Sequence, residues 1–517
     1  MITFLAKRLI TSALVVLISS LIMYYLVAAA INPLQKFQGS TAPNKQQQID
    51  ALTARLHLNE PVITRYWDWL QGAAGCLYGR CNLGVDWDKN QQVTEQLSGA
   101  IATTLELVLA ATALAIVFGI AVGLVSALRQ YSGFDYSITF VSFLLFSLPT
   151  FWVAVLAKYY LAIDFNDFLA DPHISVWVIG GAGVTVALVV SAALGGPASR
   201  RFRTGGIALV LVVVLCLYAN ARDVFERPSR GGPLDLLVVS LAALGAAFGI
   251  TALSTGLRNR RALYSSVSVA VIGIALYYPM LAFWNSVDIS WPLILGLAVF
   301  AVVVGVCVGL AWRGPDPARS ARSAALTAFV VAVFLFVDRL MQSWYAYVHN
   351  PQIKGRPIAT LGSHTPNLTG SFWIHTLDTL THLLLPTITL VLIQFAAYTR
   401  YTRASMLEVM NQDYIRTARA KGLTERTVVM RHALRNALLP LASIVPVDII
   451  TVIGGAIFTE TIFGWYGMGR LFVDALRNNI QDTVMAYVLI VGVLAVVANI
   501  VADLLYAVLD PRIRVNA

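Results

Sequence analysis

The chain has 517 residues, of which 58% are hydrophobic and only 12% charged, against about 45–50% and about 25% in ordinary soluble domains. That balance excludes a soluble globular protein, and a mean hydropathy of +0.71 with 11 Trp excludes a disordered chain, which needs little apolar surface and dense charge. The formal net charge of +10 sits in short loops between apolar runs rather than on a continuous stripe with stacking aromatics, so nucleic acid is not an expected partner.

The first apolar run, Leu9 to Ala30, follows Lys7 and Arg8. A secretory signal core is only about 7–15 residues long, so this longer run reads as an uncleaved span even though Ala28-Ala29-Ala30 resembles a cleavage site. Residues 32–99 are polar, carry Trp67, Trp69 and a predicted helix from Pro61 to Leu70, and read as an extracytoplasmic subdomain. Within it Cys76 and Cys81 enclose Leu77-Tyr78-Gly79-Arg80. On the outer side, where disulfides persist, a local disulfide is favoured over free thiols. No second Cys or His pair lies near enough in sequence to complete a zinc site.

Further apolar runs follow at 101–128, 138–163, 174–194, 207–221, 234–253, 263–284, 291–312, 324–337, 383–398, 441–462 and 484–509. With the first they make about twelve spans of an all-α polytopic membrane protein. Lys and Arg fall in alternate loops: Lys7 and Arg8, Arg129, Arg200 to Arg203, Arg258 to Arg261, Arg313 to Arg322, the stretch from Arg400 to Arg435, and Arg512 and Arg514. The positive-inside rule therefore places both ends of the chain in the cytoplasm. The loop from Arg222 to Arg230 breaks the alternation in part, with Asp223 and Glu226 offsetting its arginines. Ala111, Ala115, Gly119, Gly123 and Ala127 recur every fourth residue, a stripe that lets another helix approach closely. Pro149, Pro386, Pro440 and Pro446 lie in or beside spans, where a missing N–H and a ring clash favour kinks.

The inner segment 401–439 is far longer than the other inner loops. Two helical patterns meet there at a glycine: Asp413-Tyr414-Ile415-Arg416-Thr417-Ala418-Arg419-Ala420-Lys421-Gly422, then Leu423 onward to Pro440. Gly422 can take a positive φ and stop the first helix. Thr424 is placed to cap the second, with Glu425 favourable in its first turn. That second helix is expected to lie on the inner membrane surface with Met430, Leu434, Ala437 and Leu438 on one face and Arg431 and Arg435 on another. The short first helix and the corner then project as a docking knob. The alternative is a basic loop anchored to anionic lipid.

This stretch resembles the EAA loop of ABC-importer permeases of the oligopeptide/dipeptide/nickel family, with Arg416-Thr417-Ala418 where Glu-Ala-Ala stands in the general signature and Gly422 in place. Similar to the same family are the opening Lys7-Arg8-Leu9, Leu148-Pro149-Thr150-Phe151-Trp152, Arg403-Ala404-Ser405-Met406-Leu407, Glu460 through Leu471, and Asp503 through Arg512. The resemblance implies a six-span permease core, residues 1–165 and 373–517, with the coupling loop at 401–439 and about six additional inserted transmembrane helices in 166–372. An even insertion keeps the loop cytoplasmic. It also implies a transmembrane subunit of an ATP-driven importer in a bacterial inner membrane, for di- or oligopeptides. The expected partners are a second homologous permease, one or two cytoplasmic ATPase subunits, an extracytoplasmic substrate-binding protein and the lipid bilayer. The coupling residues it points to are Asp413, Tyr414, Arg416, Thr417, Ala418, Ala420, Lys421, Gly422 and Leu423.

No catalytic residue, metal or cofactor is expected on this chain. A P-loop needs Gly-Lys followed by Ser or Thr, and no lysine here follows a glycine; ATP and Mg belong to the partner. Ionisable residues within membrane are functional candidates: Asp448 reads equally as a lining group of the pathway or as a structural hydrogen-bond partner, and Asp503 as structural. The inserted spans carry no charge at their centres. The rival from another class is a twelve-span, ion-gradient-driven secondary transporter, but no matching half-repeat is visible. A membrane-embedded enzyme would need a nucleophile-base or metal-ligand set that the outer loops lack.

Overall fold

The computed structural model describes residues 2–38, 43–194, 197–221, 233–312 and 317–509. The chain is helical almost throughout, and the one sheet among the described residues is a two-residue ladder pairing Val85 with Gln92 and Asp86 with Gln91. Nine described helices are long and apolar enough to cross a membrane, or eleven if two bent pairs each count as one span. The remaining expected run forms Val176–Leu194, of which Val176–Ser191 ranks only as a shorter apolar helix. Among the described residues nine to eleven helices thus pass by length and composition, and the expected count of twelve is not confirmed. The loop from Arg222 to Arg230, the tail from Asp510 and the arginine at 313 lie outside the described residues.

The largest departure from the expected spans is at 138–163. Helices Gly133–Ser147 and the segment 150–170 meet at 102°. The cause is local: Leu148 precedes a proline and takes an extended backbone, ψ 130°, and Pro149 begins the next helix. A residue before proline is pushed out of the helical region by the ring. Pro386, by contrast, sits inside the uninterrupted helix Phe372–Met410.

At the centre of the fold, helix Val93–Leu128 lies along Phe372–Met410 in the same direction, with Thr112 beside Gln394 and Gly119 beside Tyr398. The small-residue stripe makes this contact. A Cβ on Gly119 would lie 2.5 Å from Tyr398 Cβ, and one on Gly123 2.7 Å from the Thr399 carbonyl oxygen, so any larger side chain would force the helices apart. Helix Ile2–Ala30 runs antiparallel to Gln481–Leu509, and Arg8 pairs with Asp503 at 2.6 Å. At the opposite end of that pair the polar subdomain packs Tyr66 and Trp69 of helix Val62–Ala74 against Tyr24, and the Tyr66 and Ser20 hydroxyls meet at 2.9 Å. A disulfide joins Cys76 and Cys81 across a turn in which Gly79 has φ +76°.

The segment 166–372 forms two groups. Val176–Leu194 packs on Ala198–Ala221, while Pro233–Ser254, Arg260–Ala275, Trp291–Ala311 and Pro317–Gln342 pack together. Small residues again permit the approach: a Cβ on Gly305 would stand 2.8 Å from the Ala324 carbonyl oxygen. The hydroxyl of Ser323 links Ser254 and Ser266 at 3.0 and 3.1 Å. The two ends of the segment are tied together. Asn166 donates to the Ile358 carbonyl (2.8 Å) and accepts from its N–H (3.0 Å), so the chain leaves the core and returns at the same end of the bundle.

Candidate functional site

Segment 411–438 folds as an elbow. Helix Asp413–Ala420 ends where Gly422, at φ +72°, donates its N–H to the Arg419 carbonyl at 2.9 Å. Nothing lies within 4 Å of where a Cβ would be, so glycine is required by the backbone conformation and not by crowding. Thr424 then caps the next helical stretch, accepting from the Thr427 N–H. Arg419 spans the corner with a two-pronged ion pair to Glu425, Nη2–Oε1 2.7 Å and Nε–Oε2 3.1 Å. Both partners are exposed, so the pair shapes the corner more than it stabilises the fold.

Beyond Thr427 the helix changes its winding: Val428–Ala433 is π-helical before Leu434–Ala437 resumes the α form. This alters the expected amphipathic face. Val428, Val429, Ala433 and Ala437 are buried, whereas Met430 is exposed. An α-helix would align 430 with 434 and 437, but an i→i+5 turn rotates that register. The buried face meets Ile415 and Ala418 of the preceding helix together with Ala127 and Met406. Ala418 therefore faces the protein's own core and does not belong to the outward surface expected for it. Asp413, Tyr414, Arg416, Thr417, Ala420, Lys421, Gly422 and Leu423 are exposed. The Tyr414 hydroxyl accepts from Asn436 Nδ2 at 2.8 Å, tying the two limbs of the elbow.

The elbow is fastened to the long helices by polar groups that local sequence patterns do not reveal. Ser405 donates to the Ala437 carbonyl at 2.8 Å. Two residues earlier on the same helix, Arg403 grips Asp135 with Nε–Oδ1 at 2.6 Å and Nη2–Oδ2 at 2.9 Å. Asp135 is 2% exposed and also accepts from Ser126 and from the Tyr131 N–H, so its charge is paired and hydrogen-bonded. Arg400 lies over the ring of Phe146 at 4.2 Å, a cation–π contact. One clamp thus joins helices 93–128, 133–147 and 372–410 directly behind the elbow.

At the other end of the bundle two more buried carboxylates organise loops. Glu460, fully buried, accepts from Thr104 Oγ1 (2.6 Å) and from the Arg470 N–H (2.9 Å), and Thr104 in turn accepts from the Met468 N–H (2.8 Å). The glycines of 464–469 serve this turn: a Cβ on Gly467 would collide with the Glu460 carboxylate. Asp378 accepts from the Thr365 N–H and hydroxyl and from the Tyr347 hydroxyl, fixing the loop that precedes helix 372–410. Asp448 lies beside the Tyr398 hydroxyl. Among the described residues no group of His, Cys, Asp and Glu could hold a metal ion.

Two family models match the chain. The one described as "Binding-protein-dependent transport system inner membrane component" covers residues 245–515, just over half of the sequence. The other, described as its N-terminal membrane component, covers 1–108. The first match begins within the segment read above as inserted. The dipeptide transport system permease protein DppB of Escherichia coli (strain K12) is 39% identical over 230 residues, 42% of this chain and 68% of the relative. The oligopeptide transport system permease protein OppB of Mycobacterium tuberculosis (strain ATCC 25618 / H37Rv) is 35% identical over 239 residues, 44% and 71% respectively. A third relative, the oligopeptide transport system permease protein AppB of Bacillus subtilis (strain 168), is 51% identical over 137 residues, 26% and 43%.

Proposed function

We infer the function from family membership: this chain belongs to the binding-protein-dependent transport system inner membrane components. It is a multi-pass inner-membrane permease subunit of an ABC importer, not an enzyme, and it works with an ATPase and a substrate-binding protein. The relatives are named for dipeptide and oligopeptide transport, and peptides are the cargo we assign here. Two permease subunits, this one and a homologue, line the pathway. One or two ATPase subunits hold the ATP and Mg on the cytoplasmic side, and the binding protein delivers cargo from outside. Both ends of this chain lie in the cytoplasm, in keeping with the arginine-rich alternate loops.

In this reading the core is residues 1–165 and 373–517, and the inserted module is 166–372. The elbow is the coupling element. The observation that carries this assignment is its two-sidedness: Ile415 and Ala418 are buried on the protein's own helices while Ala420, Lys421, Gly422 and Leu423 stand free at the tip. Motion imposed on the tip passes through the Val428–Ala437 face and Ser405 into helix 372–410, and through Arg403 and Asp135 into helices 93–128 and 133–147. Rigid, satisfied polar links suit this task because a packed interface moves as a body. The test is to replace Gly422 by Val in the reconstituted importer. The left-handed φ then costs about 1–2 kcal/mol and reshapes the tip; ATP hydrolysis continues while peptide uptake falls. Uptake and hydrolysis that remain coupled at the normal ratio would refute the assignment.

A further inference from the structure

The inserted module contains a groove of about 270 Å³ between helices 260–275, 277–286, 291–311 and 317–342. Its walls are apolar, with Ile272, Leu276, Leu297, Ala301, Val304 and Phe336 among them. Phe300 and Phe329 on its rim are exposed, so it opens sideways onto the surface that faces the hydrocarbon. One end is different. Trp284 lines the groove, is 6% exposed, and its indole N–H is buried with no acceptor.

Next to it is a second donor in the same condition. Arg339 follows Phe336 by three residues and so lies on the same helix face. Its guanidinium covers the ring of Trp373 at 4.8 Å, and Trp373 packs edge-on against Trp284 with ring centroids 5.5 Å apart. The two Nη groups are used, donating to Ser343 Oγ (3.0 Å) and Asn285 Oδ1 (3.1 Å), but Nε is buried with no acceptor. A buried donor without an acceptor is costly; Trp284 brings one to the wall of an otherwise apolar groove, and Arg339 carries another in the aromatic cluster joined to it through Trp373.

We propose that this groove binds one acyl chain of a bilayer phospholipid, with the lipid's phosphate or ester oxygens accepting from Trp284 and Arg339. The match is chemical at both ends. Hydrocarbon fills the walls, an oxygen acceptor satisfies the N–H groups, and the arginine cation favours an anionic head. A peptide in transit would bring amide groups for which these walls offer no partners. The site lies outside the core and does not depend on the cargo assigned above. It gives the inserted module a role as a lipid-gripping belt beside the transport helices.

The full chain in phosphatidylcholine nanodiscs, doped with a phosphatidylglycerol carrying a diazirine on its acyl chain, tests this directly. Photolabel mapped by peptide mass spectrometry is expected to concentrate on residues 294–304 and 328–336. Ala301→Phe, which fills the groove, lowers that labelling about tenfold. Trp284→Phe keeps the ring volume and removes the donor, lowering it about fivefold, and monodisperse elution of each variant checks its fold. Label spread evenly over the outward helix faces and indifferent to both variants would overturn the proposal. So would a free diazirine fatty acid labelling the groove as strongly as the phospholipid.

Discussion

Residues 1–165 with 373–517, proposed as the permease core, and residues 166–372, proposed as an inserted module, hold their helices together with different chemistry. Behind the elbow the core uses buried charge: Asp135 gripped by Arg403, and at the far end Glu460 and Asp378 saturated by hydroxyls and backbone N–H groups. Segment 166–372 uses small residues and serine hydroxyls, Gly305 against Ala324 and Ser323 between Ser254 and Ser266, and keeps its charged contacts near one end, Asp338 with the Tyr277 hydroxyl and Arg339 with Asn285. Charge inside a membrane protein is expensive unless fully paired. Buried carboxylates stand at both ends of the bundle, Asp135 where the elbow joins the long helices and Glu460 and Asp378 at the far end. The regions meet at several points, among them Tyr347 and Thr365 on Asp378, Trp284 on Trp373, and Gly256, at φ +83°, where a Cβ would lie 2.9 Å from Arg426 Nη1.

The sharpest way to break this contrast is to remove one half of the core clamp. Arg403→Ala leaves Asp135 buried and unpaired, and is expected to cost about 3–5 kcal/mol. Thermal unfolding in detergent should show the loss, with Arg403→Ala/Asp135→Ala recovering part of it. A smaller effect follows from Gly119→Ala, whose added methyl meets Tyr398; overpacking of this kind costs about 1–3 kcal/mol, read in the same melt. In the module, Ser323→Ala removes two hydroxyl links and should cost only about 1 kcal/mol. If it destabilises as much as Arg403→Ala, the distinction between the regions is wrong. Least of all should come from Cys76→Ser/Cys81→Ser. The loop they close is short, so about 2 kcal/mol or less is at stake, all of it in the outer subdomain, and limited proteolysis should find the change confined to residues near 62–84.

The sequence made legible whatever depends on neighbours in the chain. The positions of the apolar helices follow from run length, the glycine corner and Thr424 cap follow from residue type, and the stripe through Gly119 and Gly123 follows from spacing. Pro149 marked a kink, and the extended backbone of Leu148 before it carries the 102° bend between the two limbs, a size that residue type alone does not give. The exposure of Met430 goes with a π-helical turn that no periodicity signals, whereas Ala418 shares the buried face of its own short helix with Ile415, three residues before it. Asp135 and Arg403 are 268 residues apart, so their pairing is a property of helix assembly, as is the meeting of Thr104 with Glu460. Arg403 was visible as part of a family-like stretch, and only the fold gives it a partner.

The central claim is that the 413–425 elbow is cytoplasmic and bears on the ATPase. With Cys216 and Cys307 replaced by Ala, a single cysteine at Leu423 can be probed in cells and in the assembled importer. A membrane-impermeant maleimide added outside should fail to label it. A short thiol-to-amine crosslinker should join it to the ATPase subunit in a yield that changes when ATP is trapped. Labelling from outside, or crosslinking absent in every nucleotide state, would contradict the account.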